Sequence, residues 1–97
     1  MMILLPKPVR VKGATFFPKG TPVDIEPLAS SPMICEIRAK GMTHRVHYLR
    51  LFSGPTRGLI CAWITRDCCK SVMGEHVKPG GFDLNGFPCW SKVYGMQ

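Results

Sequence analysis

The sequence predicts a mainly β (α+β) domain, either a small barrel or a twisted antiparallel sheet, closed by a short C-terminal helix. Three observations lead there. Nine prolines and ten glycines among 97 residues cut the chain into segments too short for long helices. Apolar and polar residues alternate with period two in several of those segments, as half-buried strands require. One segment, "ICEIRAKGMTHRVHYLRLF" from Ile34 to Phe52, folds on itself in a single register that sorts its side chains by polarity.

Residues 1–97 are short enough for one domain, and folding a chain of this size hides about two thirds of its extended surface. That suffices for a core without covalent staples. A hydrophobic share of 45% with 20% charged residues belongs to an ordered globular chain rather than a disordered one.

Taken in order, "VRVKGATFF" from Val9 and "TPVDIEPL" from Thr21 read as two short strands joined by the turn chemistry of "FPKGTP". In the second, Val23 and Ile25 face inward while Asp24 and Glu26 face water, and the prolines mark strand ends or an edge. "ASSP" is a loop. In the hairpin that follows, Lys40-Gly41 forms the two-residue turn. The pairs then run backward as Ala39 with Met42, Arg38 with Thr43, Ile37 with His44, Glu36 with Arg45, Cys35 with Val46, Ile34 with His47 and Met33 with Tyr48. One face holds Met33, Cys35, Ile37, His44, Val46 and Tyr48; the other holds Ile34, Glu36, Arg38, Thr43, Arg45 and His47. The same register sets an acid opposite a base, a cross-strand pair worth about 0.2–1 kcal/mol.

Beyond the turn "SGPTRG", the apolar run Leu59 to Ile64 in "LICAWITRD" reads as a central strand buried on both faces, with a short buried helix as its alternative. "CCKSVMGEHV" either extends that strand through a bulge or makes a helical turn and a strand around Val72. "KPGG" and "DLNG" are turn signals. Pro88 suits a first helical turn and Gly95 the position past a helix end. Between them Trp90, Val93 and Tyr94 share one face, which predicts a short helix packing its aromatics on the sheet.

The succession "KGTPVDIEP" and "MICEIRAKGMTHRVHYLRL" resembles the small-barrel class of SH3-like, KOW and Tudor-type modules. The likeness runs from about Val9 to Leu51 and concerns the order of glycine turns and strands. It implies an SH3-like barrel. Such barrels host nucleic-acid binding, peptide binding and catalysis alike, so function has to come from the residues.

Thirteen Lys and Arg against six Asp and Glu give a net charge of +7, which favours anionic partners such as nucleic acid, an acidic protein surface or anionic lipid. The same charge also serves solubility alone. The opening "MMILLPKP" carries a five-residue apolar run stopped by proline. That is shorter than the roughly 7–15 residues of a secretory core, and no stretch approaches the ~20 residues of a membrane span. Five cysteines, an odd number, add to the expectation of a cytoplasmic chain with reduced thiols.

Metal and catalytic chemistry find little support. His44 and His47, three apart in "HRVH", point to opposite faces of a strand and cannot chelate one ion; His44 is expected half-buried with a satisfied ring nitrogen. Cys68, Cys69, His76 and Cys89 form the better zinc candidate, but adjacent cysteines on a strand point apart and no C-x-x-C spacing occurs. Cys35 and Cys61 read as small core hydrophobes. Cys68 or Cys69 beside His76 supplies a thiol and a base without any surrounding signature. "KPGG" and "SGPTRG" do not match a phosphate-cradling loop. The expectation is a non-enzymatic protein that uses neither metal nor cofactor.

What remains is binding. Arg38, Lys40, Arg45 and Arg50 fall within thirteen residues that contain no acid, and the predicted face brings Arg38 and Arg45 together with Lys40 at the tip. With His47 and Arg57 they are the residues expected to contact nucleic acid, DNA or RNA, as a two-stranded ribbon that enters a major groove or lies along the phosphate backbone. His47 or Phe52 could stack on bases. Arg66 and Lys70 widen the patch, and Lys7, Arg10 and Lys12 form a second basic cluster. The signatures of RRM, KH and helix-turn-helix modules are absent. The alternative is a small inhibitor or adaptor that blocks a larger protein complex. Met1, Met2, Met42, Met73 and Met96 would then offer an adaptable apolar patch beside a basic rim.

Overall fold

Period-two alternation in the middle of the chain becomes the middle of the structure. The computed structural model describes residues 1–10, 16–56 and 69–95. In chain order its elements are β1 (Met2–Leu4), β2 (Val9–Arg10), β3 (Phe16–Phe17), β4 (Pro22–Pro27), β5 (Ile34–Ala39), β6 (Met42–His47), α1 (Tyr48–Leu51), β7 (Cys69–Lys70), β8 (His76–Val77) and α2 (Trp90–Val93). Every strand pair is antiparallel, which makes this a mainly β domain with two single-turn helices. Four strands form one sheet in the order β1-β4-β5-β6, and β2-β3 and β7-β8 are separate two-stranded ribbons. Of the two forms expected, the described strands make the sheet, and among the described residues no strand joins β6 back to β1.

The hairpin β5–β6 has the expected register at all six pairs from Ala39–Met42 to Ile34–His47. Lys40 and Gly41 both lie in the left-handed region, at φ 54° and 75°, the two-residue turn whose twist matches that of the flanking strands. Cys35, Ile37 and Val46 point into the core. Arg45 pairs with Glu36 across the strands at 3.6 Å on the outer face. In β4, Val23 and Ile25 are fully buried, and Pro22 and Pro27 sit at its two ends, where a missing N–H interrupts little of the ladder. Because β4 lies between β1 and β5, these prolines mark ends rather than an edge.

Three local readings change. "VRVKGATFF" is not one strand: Val9 pairs with Phe17 and Arg10 with Phe16, so its two ends face each other. The segment holds Lys12-Gly13, the same dipeptide that turns the chain at 40–41, and the alternation on its two sides belongs to two strands. The opening apolar run, assigned no element, is a strand whose Ile3 lies opposite Val23. Finally, the hairpin ladder stops at His47 and becomes a helical turn. Tyr48 and Leu51 are both fully buried; three apart, they share a face on a helix but would diverge on a strand. Tyr48 still donates its N–H to the Met33 carbonyl at 3.1 Å.

The C-terminal third shares one core with the sheet. Within "CCKSVMGEHV", residues 69–77 form the hairpin β7–β8 rather than a helical turn and a strand around Val72, with the Ser71 hydroxyl accepting from Met73 and Glu75 N–H groups inside its turn; the strand it was otherwise expected to extend lies outside the described residues. "KPGG" and "DLNG" are turns, closed by Gly81 N–H to Lys78 O and Gly86 N–H to Asp83 O. Helix α2 begins two residues after Pro88, and Gly95 follows it at φ 72°. Trp90 lies so close to Gly54 that a Cβ there would come within 2.7 Å of the indole, and Tyr94 donates to the Pro55 carbonyl at 2.7 Å. Thus the aromatic face of α2 packs on the main body. Leu5, Phe17, Ile25, Ile37, Tyr48, Leu51, Phe87 and Val93 belong to a single buried cluster. The run Leu59 to Ile64 and residues Arg57 and Arg66 lie outside the described residues.

Two measurements check this arrangement. Val46→Asp places an unpaired charge in the core and is expected to unfold the domain, whereas Arg45→Ala, which removes one exposed ion pair, costs less than about 1 kcal/mol in thermal melts. The Cys35 thiol donates to the Val46 carbonyl at 3.4 Å, and burial pushes its pKa from 9.0 up to about 12. A folded-state pKa raised in this way leaves stability intact below pH 9, because the thiol is protonated in both states. Above pH 9 the unfolded chain sheds the proton first, and stability drains at about 1.4 kcal/mol per pH unit until the folded thiol also ionises. Urea melts from pH 8 upward should therefore fall less steeply for Cys35→Ala than for the parent chain.

Candidate nucleic-acid interface

Two stretches of the chain contain no acid at all, residues 1–23 and 37–66. The fold packs described parts of one against the other. In the ribbon, Val9 and Phe17 are buried, so alternation turns their neighbours Arg10 and Phe16 outward as a cross-strand pair. Phe16 is half exposed, at 49%. Phe17 seats the ribbon on the hairpin: its ring lies 6.0 Å from that of His44, tilted by 59°, and Lys40 Nζ stands 5.8 Å from its centroid. On the other strand, Arg50 Nη2 donates to the Arg10 carbonyl at 3.3 Å. Arg10, Phe16, Lys40 and Arg50 therefore gather around one small ribbon, with Lys7 and Lys19 flanking it in sequence. Arg10, Lys19, Lys40 and Arg50 are all exposed.

The expected residues divide between this surface and others. Lys40 and Arg50 join it. Arg38 and Arg45 lie on the outer face of the sheet, where Arg38 is paired with Asp24 and Arg45 with Glu36, which in turn neighbours Glu26. Three carboxylates thus share that face with two arginines. Asp24 and Glu26 additionally hold the Met1 ammonium at 2.6 and 3.2 Å. His47 is half-buried and caps α1, its Nδ1 accepting from Leu49 N–H at 3.1 Å, so one ring nitrogen already serves the fold. Arg57 lies outside the described residues. Lys70 pairs with His76 in the separate ribbon β7–β8.

The other candidate groups are also placed. His44 is half-buried as expected, and of its two ring nitrogens Nε2 is buried without a hydrogen-bond partner among the described residues, while the ring packs on Phe17. Cys69 lies opposite Val77 and His76 opposite Lys70, so the thiol and the imidazole occupy opposite faces of their ribbon. Among the described residues no group of three or more His, Cys, Asp or Glu side chains could hold a metal ion. No described helix is long and apolar enough to cross a membrane.

The chain matches no protein-family model, no curated protein and no solved structure. Its site is thus read from its own geometry. Phe16 is the member that sequence reasoning did not single out, and Arg10 was placed in a second basic cluster with Lys7 and Lys12 rather than beside Lys40 and Arg50. The signal that could have found them is the absence of acid across two long stretches, which makes any surface built from both positive.

His47 offers a test of how α1 carries Arg50 to the ribbon. His47→Ala removes the cap and is expected to cost about 1 kcal/mol, while His47→Asn, which keeps an acceptor at that position, should cost much less. Equal destabilisation in urea melts would remove the cap from the account.

Proposed function

We propose that this protein binds nucleic acid, non-enzymatically, through the surface around β2–β3. The observation that carries this reading is the Arg50–Arg10 contact. It closes two acid-free stretches into one cationic surface with a half-exposed phenylalanine at its centre. Arginine and lysine at such a surface neutralise phosphates and release counterions, a term that depends steeply on salt. Phe16 offers a flat apolar ring on which an unpaired base can stack, the combination that single-stranded ligands use. Arg38 and Arg45, set among carboxylates, contribute less. Their charges are offset locally, and phosphates would meet Asp24, Glu26 and Glu36 on the same face.

Fluorescence anisotropy with labelled single- and double-stranded DNA and RNA, between about 50 and 200 mM salt, tests the reading. Single strands are expected to bind saturably, with affinity falling as roughly the third power of salt for four phosphate contacts. Arg10→Glu combined with Arg50→Glu should abolish binding while leaving the fold intact. Phe16→Ala should weaken single-strand binding by about 1–3 kcal/mol, and Arg38→Glu with Arg45→Glu should weaken it less than the Arg10 and Arg50 pair. Affinity that is indifferent to Arg10 and Arg50 sinks the proposal.

A second reading has its own observation. The loop Phe82 to Phe87 is locked by Asp83, whose Oδ1 accepts from Asn85 and Phe87 N–H groups at 2.9 Å, yet it presents Leu84 fully exposed and Phe82 at 53%. An apolar side chain held out on a rigid turn suits a small inhibitor or adaptor that docks on another protein. Absence of nucleic-acid binding at low salt would favour this reading.

A further inference from the structure

The proposed binding surface leaves unused a pair of buried thiols, one in β7 and one just before α2. Ser71 and Cys89 form an antiparallel bridge, and this joins the end of β7 to the residue that precedes α2. Cys69, two residues before Ser71, is thereby carried to the same side of the bridge as Cys89, and each thiol feels the other electrostatically. Both cysteines are free and buried, at 2% and 0% exposure. Cys89 Sγ accepts from Gly80 N–H at 3.2 Å and shares a hydrogen bond with the Ser91 hydroxyl at 2.8 Å. These hydrogen bonds outweigh burial and hold the Cys89 thiol below its ordinary range, whereas desolvation raises Cys69. A structural thiol in a core has no need of such donors, which favour the thiolate.

We propose that Cys69 and Cys89 form an oxidisable dithiol that closes to a disulfide with hydrogen peroxide, a small oxidant suited to sulfurs this enclosed. The Cys89 thiolate attacks one peroxide oxygen and the O–O bond breaks. Hydroxide leaves and takes up a proton to become water, and Cys89 is left as a sulfenic acid. Cys69 then gives up its proton and attacks the Cys89 sulfur. The S–S bond forms as the second oxygen departs as hydroxide and is protonated to water. Two thiols and one peroxide become one disulfide and two waters, with two electrons passing from sulfur to oxygen. The product ties β7 covalently to the start of α2.

The full-length protein, reduced and then treated with hydrogen peroxide, is alkylated, digested and mapped by mass spectrometry. The expected product is a peptide pair linked through Cys69 and Cys89, lacking two hydrogens and restored by dithiothreitol. Cys68→Ser should give the same linkage. Cys69→Ser should stop at a Cys89 sulfenic acid that dimedone traps. Should Cys69→Ser fail to fold, the parent and Cys68→Ser maps decide alone. Linkage of Cys89 to Cys68 or Cys61, survival of both thiols, or a stoichiometric metal held by them in the purified protein would each overturn the proposal.

Discussion

The left-handed pair Lys40-Gly41 is the constraint on which the rest of the structure depends. A two-residue turn of this hand leaves β5 and β6 one register, and in that register Cys35, Ile37 and Val46 face the core. A slip by a single residue would send all of them to water. The neighbouring strand inherits the setting, because β4 pairs Ile25 with Ile37 and so keeps Val23 inside as well. Glycine occupies such a conformation freely, whereas Lys40 bears a steric cost of roughly 1–2 kcal/mol there. Lys40 compensates in part by reaching back over the Phe17 ring, so the residue that bends the hairpin also helps to seat the ribbon.

From that frame follows a separation of charge. The outer face of the sheet carries Asp24, Glu26 and Glu36 among its arginines. The ribbon β2–β3, by contrast, is built and bordered by stretches without any acid. A chain with more bases than acids need not have a basic site, since its charges can be interleaved. Here the strand order gathers three of the six acids on one face and leaves the region around Arg10 and Arg50 uncompensated. Local concentration of like charge, rather than the total, is what attracts a polyanion.

How much of this was legible in the sequence depends on the range of each interaction. The β5–β6 register was readable because twelve residues alternate around one turn dipeptide, and because Glu36 meets Arg45 only in that register. The ends of β4 were readable from Pro22 and Pro27, and the aromatic face of α2 from Trp90, Val93 and Tyr94. A three-residue strand such as β1 offers too few alternations to register as a pattern. In "VRVKGATFF" two strands masquerade as one, since period two is preserved on both sides of Lys12-Gly13. The helical turn α1 is imposed by the burial of Tyr48 and Leu51 together, a tertiary demand that local propensity does not announce. Among the site residues, Lys40 and Arg50 were visible as charges, but their partnership with Arg10 and Phe16 was not. Neither was the meeting of Cys69 with Cys89, which rests on the bridge at Ser71. Contacts spanning many positions leave no periodic trace.

The Arg50–Arg10 contact joins residues forty positions apart, and this makes the cationic surface a property of the folded topology rather than of any segment. A peptide copied from the hairpin or from the ribbon carries only half of it. By mass action, a polyanion lying across both halves stabilises every conformation in which they touch and none in which the ribbon has lifted away. Bound as proposed, such a ligand would couple its occupancy to the closure of the β2–β3 ribbon and act as a clasp on the fold.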